Sequence, residues 1–228
     1  AFRLMMNTEA TGLMRDGERV VGVVGTGTSG AIDIRADLVI AADGRDSRLR
    51  DAAGLAVRDL GAPMDVLWFK LSSGADQHHL VLGHIEAGQA IIMLDRGDYW
   101  QCAMIIRKGT AEAVKRQGID VFRARVAKLT GRDRVDEIAS FDDVKLLTVT
   151  VNRLKEWCRP GLLFIGDAAH AMSPAGGVGI NLAIQDAVAA SNILADSLRR
   201  GTLSLADLRR VQRRRQFPTW ATQALQVA

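Results

Sequence analysis

Between residues 2 and 40, apolar and polar positions alternate in short runs, broken by two clusters of turn formers, Arg15-Asp16-Gly17-Glu18 and Gly25 to Gly30. A period of two sends successive side chains to opposite faces, so the pattern predicts a three-stranded antiparallel meander with strands near 3–14, 19–26 and 31–36. The next run, Ala36 to Ala42, is apolar almost throughout and closes on Asp43-Gly44. A short run that is apolar on both faces and ends in a glycine turn predicts a buried parallel strand. After Pro63, strand patterns recur at 65–71, 79–85, 89–94 and 99–107. Helical patterns follow at 111–116 and 120–129, then a strand pattern at 144–152. Strands with helices segregated beside them predict a separate α+β layer. Leu162 to Ile165 forms a second short buried strand, closing on Gly166-Asp167. A long Ala-rich helix runs from Gly179 to about Arg199, and further helices are expected at 204–215 and 218–227. Ser204, with Asp207 three residues on, marks a helix N-terminus.

Of the 228 residues, 48% are hydrophobic and 25% charged, which excludes a disordered or fibrous chain. No apolar run approaches the roughly 20 residues of a membrane span. The opening Ala1 to Ala10 has no signal-peptide pattern, and it begins without Met and in mid-pattern, as a chain cut from a longer one would. Cys102 and Cys158 have no metal-ligand spacing and are expected to be reduced thiols of a cytoplasmic protein. The net charge of +4 owes much to Arg199, Arg200, Arg209, Arg210, Arg213, Arg214 and Arg215. With no aromatic residues interleaved, this run predicts a solvated helix face rather than a nucleic-acid site.

The segment richest in chemistry runs from Gly166-Asp167-Ala168-Ala169-His170 through Pro174, Gly176-Gly177-Val178-Gly179-Ile180-Asn181, to Asp186. It places a carboxylate at the end of a buried strand, then a loop whose glycines allow close approach of a ligand, then the N-terminus of a long helix. Unpaired backbone N–H groups and the positive end of the helix dipole would stabilise a ligand that gains negative charge. The second segment is Asp43-Gly44-Arg45-Asp46-Ser47-Arg48-Leu49-Arg50, again a turn after a buried strand.

The first segment resembles the second FAD fingerprint of the FAD-dependent hydroxylases of the para-hydroxybenzoate hydroxylase type. The second resembles the same family's D-G-x-x-S-x-x-R fingerprint, through Asp43, Gly44, Ser47 and Arg50. The resemblance implies an α/β, Rossmann-like FAD/NAD(P)-binding fold, N-terminally truncated, with an α+β substrate layer. Its parts would be a FAD-binding part over 1–58 and 152–200, a substrate-covering sheet over 59–151, and C-terminal helices over 201–228. It also assigns FAD to Asp43, Gly44, Arg50, Gly166, Asp167, Pro174, Gly176, Gly177, Val178, Gly179, Ile180 and Asn181. Asp167 would hold a ribityl hydroxyl, the glycine loop would lie along the flavin N1 and C2-carbonyl edge, and Pro174 would lie near the flavin C4a. The family's G-x-G-x-x-G segment for the ADP half is missing; Gly25 to Gly30 spells it, but between two strands, as a hairpin. The chain is therefore expected to lack FAD, and its strand edges to be covered by a neighbouring copy or by rearranged strands.

The implied reaction is hydroxylation of an aromatic or similarly electron-rich small molecule, with NAD(P)H as co-substrate and O2 as oxidant, the chemistry residing in the flavin. The alternatives are an inactive fragment, a non-catalytic binding protein, or a flavin halogenase, whose W-x-W-x-I-P sequence is absent. A homodimer is one assembly open to the chain. His170 is expected to be a hydrogen-bonded structural residue. His78, His79 and His84 lack accompanying ligands and predict no metal site. Trp68, Tyr99 and Trp100 are expected in the core of the middle sheet, with an aromatic pocket as the other use.

Overall fold

The computed structural model describes residues 2–73, 81–86 and 88–227, apart from the side chain of Ala175. The chain divides into two compact units, Ala1–Gly61 with Thr150–Ala228, and Ala62–Val149.

The first unit opens with the antiparallel meander β1 (Glu9–Asp16), β2 (Arg19–Gly27) and β3 (Gly30–Arg35). The first strand begins six residues later than its alternation suggests, because Asn7 takes a left-handed φ of 50° and Thr8 Oγ1 donates to Met6 O, turning the chain. Phe2, Leu4 and Met6 are accordingly exposed. Gly27 pairs with Gly30 across a two-residue turn, so the G-x-G-x-x-G look-alike is the hairpin expected. Strand β4 (Val39–Ala41) follows, then the short helix α1 (Arg48–Ala52) and β5 (Val57–Asp59). Val39 and Ala41 are buried, whereas Ile40 is 45% exposed, so β4 is covered on one face only.

The second unit is a five-stranded antiparallel sheet of β6 (Met64–Ser72), β7 (Val81–Glu86), β8 (Gln89–Asp95), β9 (Tyr99–Arg107) and β10 (Lys145–Leu147), in the order β10-β6-β9-β8-β7. One face packs Leu67, Phe69, Leu71 and Met104 against Phe122, Val126 and Leu129 of α3 (Ile119–Thr130), beside α2 (Ala111–Arg116). Trp100 belongs to this core, with the Arg132 guanidinium over its ring. Strand alternation puts Trp68 and Tyr99 on the opposite face, outside that core. The strand pattern at 144–152 does not form one strand. Buried Asp65 accepts from Val149 N–H, Gly109 N–H and Lys108 Nζ, and Lys108 Nζ also donates to Val149 O, so the segment leaves the sheet for side-chain partners.

Back in the first unit, β11 (Asn152–Leu154) pairs with β5, and β12 (Cys158–Arg159) leads into β13 (Leu162–Phe164). All three residues of β13 are fully buried, and the strand runs parallel to β4 with Leu162 opposite Val39 and Phe164 opposite Ala41. No described strand covers the other edge of β4. Helix α4 (Gly179–Arg199) occupies the expected span. The two expected C-terminal helices are instead one, α5 (Leu205–Val227), started by the reciprocal Ser204–Asp207 cap. It continues through Pro218 because its far half is tied down by side-chain bonds: Gln223 Nε2 donates to Asn152 O and Ala171 O, and Gln226 Nε2 to Ser173 O. Among the described residues, no helix is long and apolar enough to cross a membrane.

Candidate cofactor site

The parallel register of β4 and β13 brings both motif turns to the same end of one sheet, since Ala42-Asp43-Gly44 follows one strand and Ile165-Gly166-Asp167 the other. In open α/β sheets, ligands bind at such carboxyl ends.

In the first turn, Asp43 Oδ1 accepts from Ser47 Oγ at 2.6 Å and Oδ2 from Leu49 N–H at 3.2 Å, while Ser47 Oγ caps α1 by accepting from Arg50 N–H at 3.0 Å. Both Asp43 oxygens are thus engaged in shaping the turn. Arg50, only 8% exposed, donates to Arg45 O at 2.6 Å and to Ala168 O at 3.3 Å. It ties the first turn to the second.

In the second turn, Gly166 has a φ of 58°, and a Cβ there would stand 3.1 Å from Ala183 Cβ on α4. Only glycine meets both demands without strain. Asp167 follows, its side chain one-third exposed and 3.6 Å from Arg45 Nη2. Asp167, Gly179 and Ile180 line both of two adjoining open cavities, of ≈ 500 Å³ and ≈ 230 Å³. Ala42, Ile165, Ala183 and Ile184 make the larger one apolar, and Arg45, Pro174 and Gly177 border the smaller. Gly176 and Gly177 turn with φ of 78° and 63° into α4. Val178 caps that helix without a side-chain hydrogen bond, and no acidic residue stands in its first turn. The positive end of a 21-residue helix is therefore left for a ligand. Ile180, 74% exposed, and Asn181 lie on its open side.

Gly166, Asp167, Pro174, Gly177, Gly179 and Ile180 are thus brought together, with Gly44 at the rim of the larger cavity. Arg50 lies behind the site rather than on its surface. Sequence reasoning missed Arg45, which faces Asp167 from the other turn, and the buried pairing of His170 and Arg215 with Asp186. His170 is buried and bonded to Asp186, as a structural histidine would be. His84 pairs with Glu86, and no group of three His, Cys, Asp or Glu residues among those described could hold a metal; His78 and His79 lie outside the described residues.

A family sequence model described as an FAD binding domain matches residues 1–224. The chain belongs to the FAD binding domain family. Among curated proteins, this FAD binding domain is 36% identical over 230 residues, 99% of its length and 55% of the relative's, to 6-methylpretetramide 4-monooxygenase of Streptomyces rimosus. Among solved structures it resembles PqsL of Pseudomonas aeruginosa in complex with 2-aminobenzoylacetate, with a TM-score of 0.76 and 20% identity over 96% of this chain and 61% of that one. It also resembles the OxyS anhydrotetracycline hydroxylase of Streptomyces rimosus, with a TM-score of 0.69 and 19% identity over 96% of this chain and 43% of that one. These two likenesses establish the fold. The chain spans about half the length of the curated relatives it matches.

The residues present fit a flavin. The larger cavity offers apolar walls to a ring system, the partly exposed Asp167 carboxylate is free to accept from hydroxyls on the cavity side, and the uncapped α4 N-terminus presents N–H donors.

Proposed function

We propose that this chain carries the flavin-ring half of a FAD-dependent monooxygenase that uses NAD(P)H and O2 to hydroxylate an aromatic or similarly electron-rich small molecule. The observation that carries this reading is the position of Asp167. Its carboxylate stands on the shared wall of two cavities, beside an unblocked helix N-terminus, at the carboxyl end of two parallel strands. The 36% identity to a monooxygenase over nearly the whole chain supports the oxygen chemistry.

In this reading Asp167 accepts a hydrogen bond from a hydroxyl of the ribityl chain, and Arg45, 3.6 Å away, orients that carboxylate. The N–H groups at the start of α4, Gly179 to Asn181, face the flavin edge that becomes anionic on reduction. Gly44 lets the first turn approach the cofactor, Pro174 borders the ring, and Arg50 holds the two turns in register. FAD, when bound, supplies the redox chemistry; the protein binds, orients and excludes water. We assign substrate recognition to the second unit, on the sheet face that carries Trp68 and Tyr99. A reducing, cytoplasmic setting agrees with two buried free thiols, of which burial pushes Cys102 up to about 12.

The test supplies the FAD-loaded protein with NAD(P)H, isotopically labelled O2 and a panel of phenolic and fused-ring aromatic compounds. Label in the product supports the monooxygenase reading. NAD(P)H oxidation that yields a reduced, unlabelled product contradicts it.

A further inference from the structure

Behind the Gly166–Asp167 turn lies a buried cluster of Asp186, His170 and Arg215. Asp186, 0% exposed and on the second turn of α4, accepts from Gly166 N–H at 3.0 Å and His170 Nε2 at 2.6 Å through Oδ2, and from Arg215 Nε at 2.8 Å through Oδ1. Arg215 belongs to α5 and is itself 7% exposed. The His170 ring is confined by Trp157, with ring centroids 4.8 Å apart.

The geometry points to a positioning role: we propose that Asp186, His170 and Arg215 set the orientation of Asp167, so that the C-terminal helix takes part in flavin binding without touching flavin. The inference rests on the reading of Asp167 as a flavin ligand. Gly166 is the residue whose backbone aims Asp167, and it is held at both polar groups. Its carbonyl accepts from Ala169 N–H and His170 N–H, closing the turn locally. Its N–H goes to the Asp186 carboxylate rather than to a neighbouring strand. The left-handed turn is thus held from two sides, by its own local bonds and by that carboxylate. A buried carboxylate needs a compensating charge and a full set of donors. Gly166 and His170 leave Oδ1 to Arg215, which supplies a donor and a permanent positive charge from 29 residues away. Packing alone would have been served by an apolar pair; a charge-assisted set of bonds fixes direction as well as distance.

The experiment compares Arg215→Gln, Arg215→Lys and Asp167→Ala in the FAD-loaded protein by two readouts, the FAD dissociation constant and amide hydrogen exchange of the 165–169 segment, well below the unfolding temperature. Arg215→Gln is expected to weaken FAD binding about tenfold and to speed exchange at Gly166 and Asp167, because a charge-assisted bond to the carboxylate that holds them is lost. Arg215→Lys keeps the charge without the planar fork and should recover part of both effects. A lowered unfolding midpoint with unchanged FAD affinity and unchanged exchange at the turn would mean that the cluster only stabilises the fold, and would overturn the proposal. Should Arg215→Gln fail to fold, Arg215→Lys decides by the same two readouts, since full wild-type values overturn the proposal and a partial loss supports it. If Asp167→Ala leaves FAD affinity intact, the flavin-ligand reading fails; if Asp167→Ala weakens binding while neither Arg215 variant does, the present inference alone fails.

Discussion

The buried guanidinium of Arg50 donates to the carbonyl of Ala168, 118 residues further along the chain. A second nitrogen of the same group donates to Arg45 O, within its own turn. One side chain thereby joins the two turns that flank the proposed flavin site. It does so through a rigid fork that lysine cannot reproduce. Arg50→Met is expected to cost about 1–3 kcal/mol of unfolding free energy, the range for leaving buried acceptors unpaired, and to weaken FAD binding in parallel. Arg50→Lys should behave more like Arg50→Met than like the parent protein. Urea unfolding and flavin titration check this, and a lysine variant with parental values in both would show that charge rather than the fork matters.

Two glycines of the site should respond to substitution in opposite ways. At Gly166, the left-handed backbone and the contact with Ala183 penalise any side chain, so Gly166→Ala should destabilise the fold by about 1–2 kcal/mol or more before any cofactor is added. At Gly179, φ is ordinary and an added Cβ meets only Met172 Cβ at 3.8 Å. Gly179→Val should therefore leave the apoprotein's unfolding midpoint nearly unchanged while it abolishes FAD binding or lowers the flavin reduction potential, because the side chain enters both cavities. Normal flavin occupancy and potential in Gly179→Val would remove the helix N-terminus from the cofactor site.

Acid should weaken the protein through two buried carboxylates. Burial alone would raise Asp65, but hydrogen bonds from Gly109 N–H, Lys108 and Val149 N–H outweigh it and hold the group below its ordinary 3.8. For Asp186 the same opposition from burial is outweighed by His170, Arg215 and Gly166. A carboxyl depressed in the folded state contributes stability that is complete above its unfolded pKa and is lost as pH falls through the folded one. Unfolding free energy should thus decline below about pH 4, and Asp65→Asn should flatten that decline while lowering stability at neutral pH. Denaturation midpoints measured from about pH 7 down to about pH 2.5 check both signs. Parallel curves for Asp65→Asn and the parent would assign the acid sensitivity to other groups.

The parts of the fold written in contiguous sequence were legible. The buried run Leu162 to Ile165, its Gly166-Asp167 turn and the Ala-rich helix from Gly179 to Arg199 are each specified by local pattern, and the structure places them accordingly. What escaped depends on the phase of distant elements. The bond from Arg215 to Asp186 exists because positions 208, 211, 215, 219 and 223 of α5 share one buried face that runs through Pro218. A proline read locally argues for a break there, and only the long-range bonds of Gln223 and Gln226 override it. The same limit applies to the segment at 144–152, whose strand pattern is interrupted by Asp65, a carboxylate more than eighty residues earlier. Arg45 looked like a spacer in a fingerprint, and its pairing with Asp167 follows only from the parallel register of β4 and β13.

The central claim, that Asp167 at the end of β13 is a flavin ligand, is tested most directly by the FAD dissociation constants of the full-length parent protein and its Asp167→Ala variant, measured by flavin fluorescence titration alongside an unfolding curve for each. Asp167 is one-third exposed and makes only a long ion pair with Arg45, so its removal should scarcely alter the unfolding midpoint. The account predicts that FAD binding weakens by about 1–3 kcal/mol, roughly five- to 150-fold, with the fold intact. Equal dissociation constants for the two proteins would contradict it.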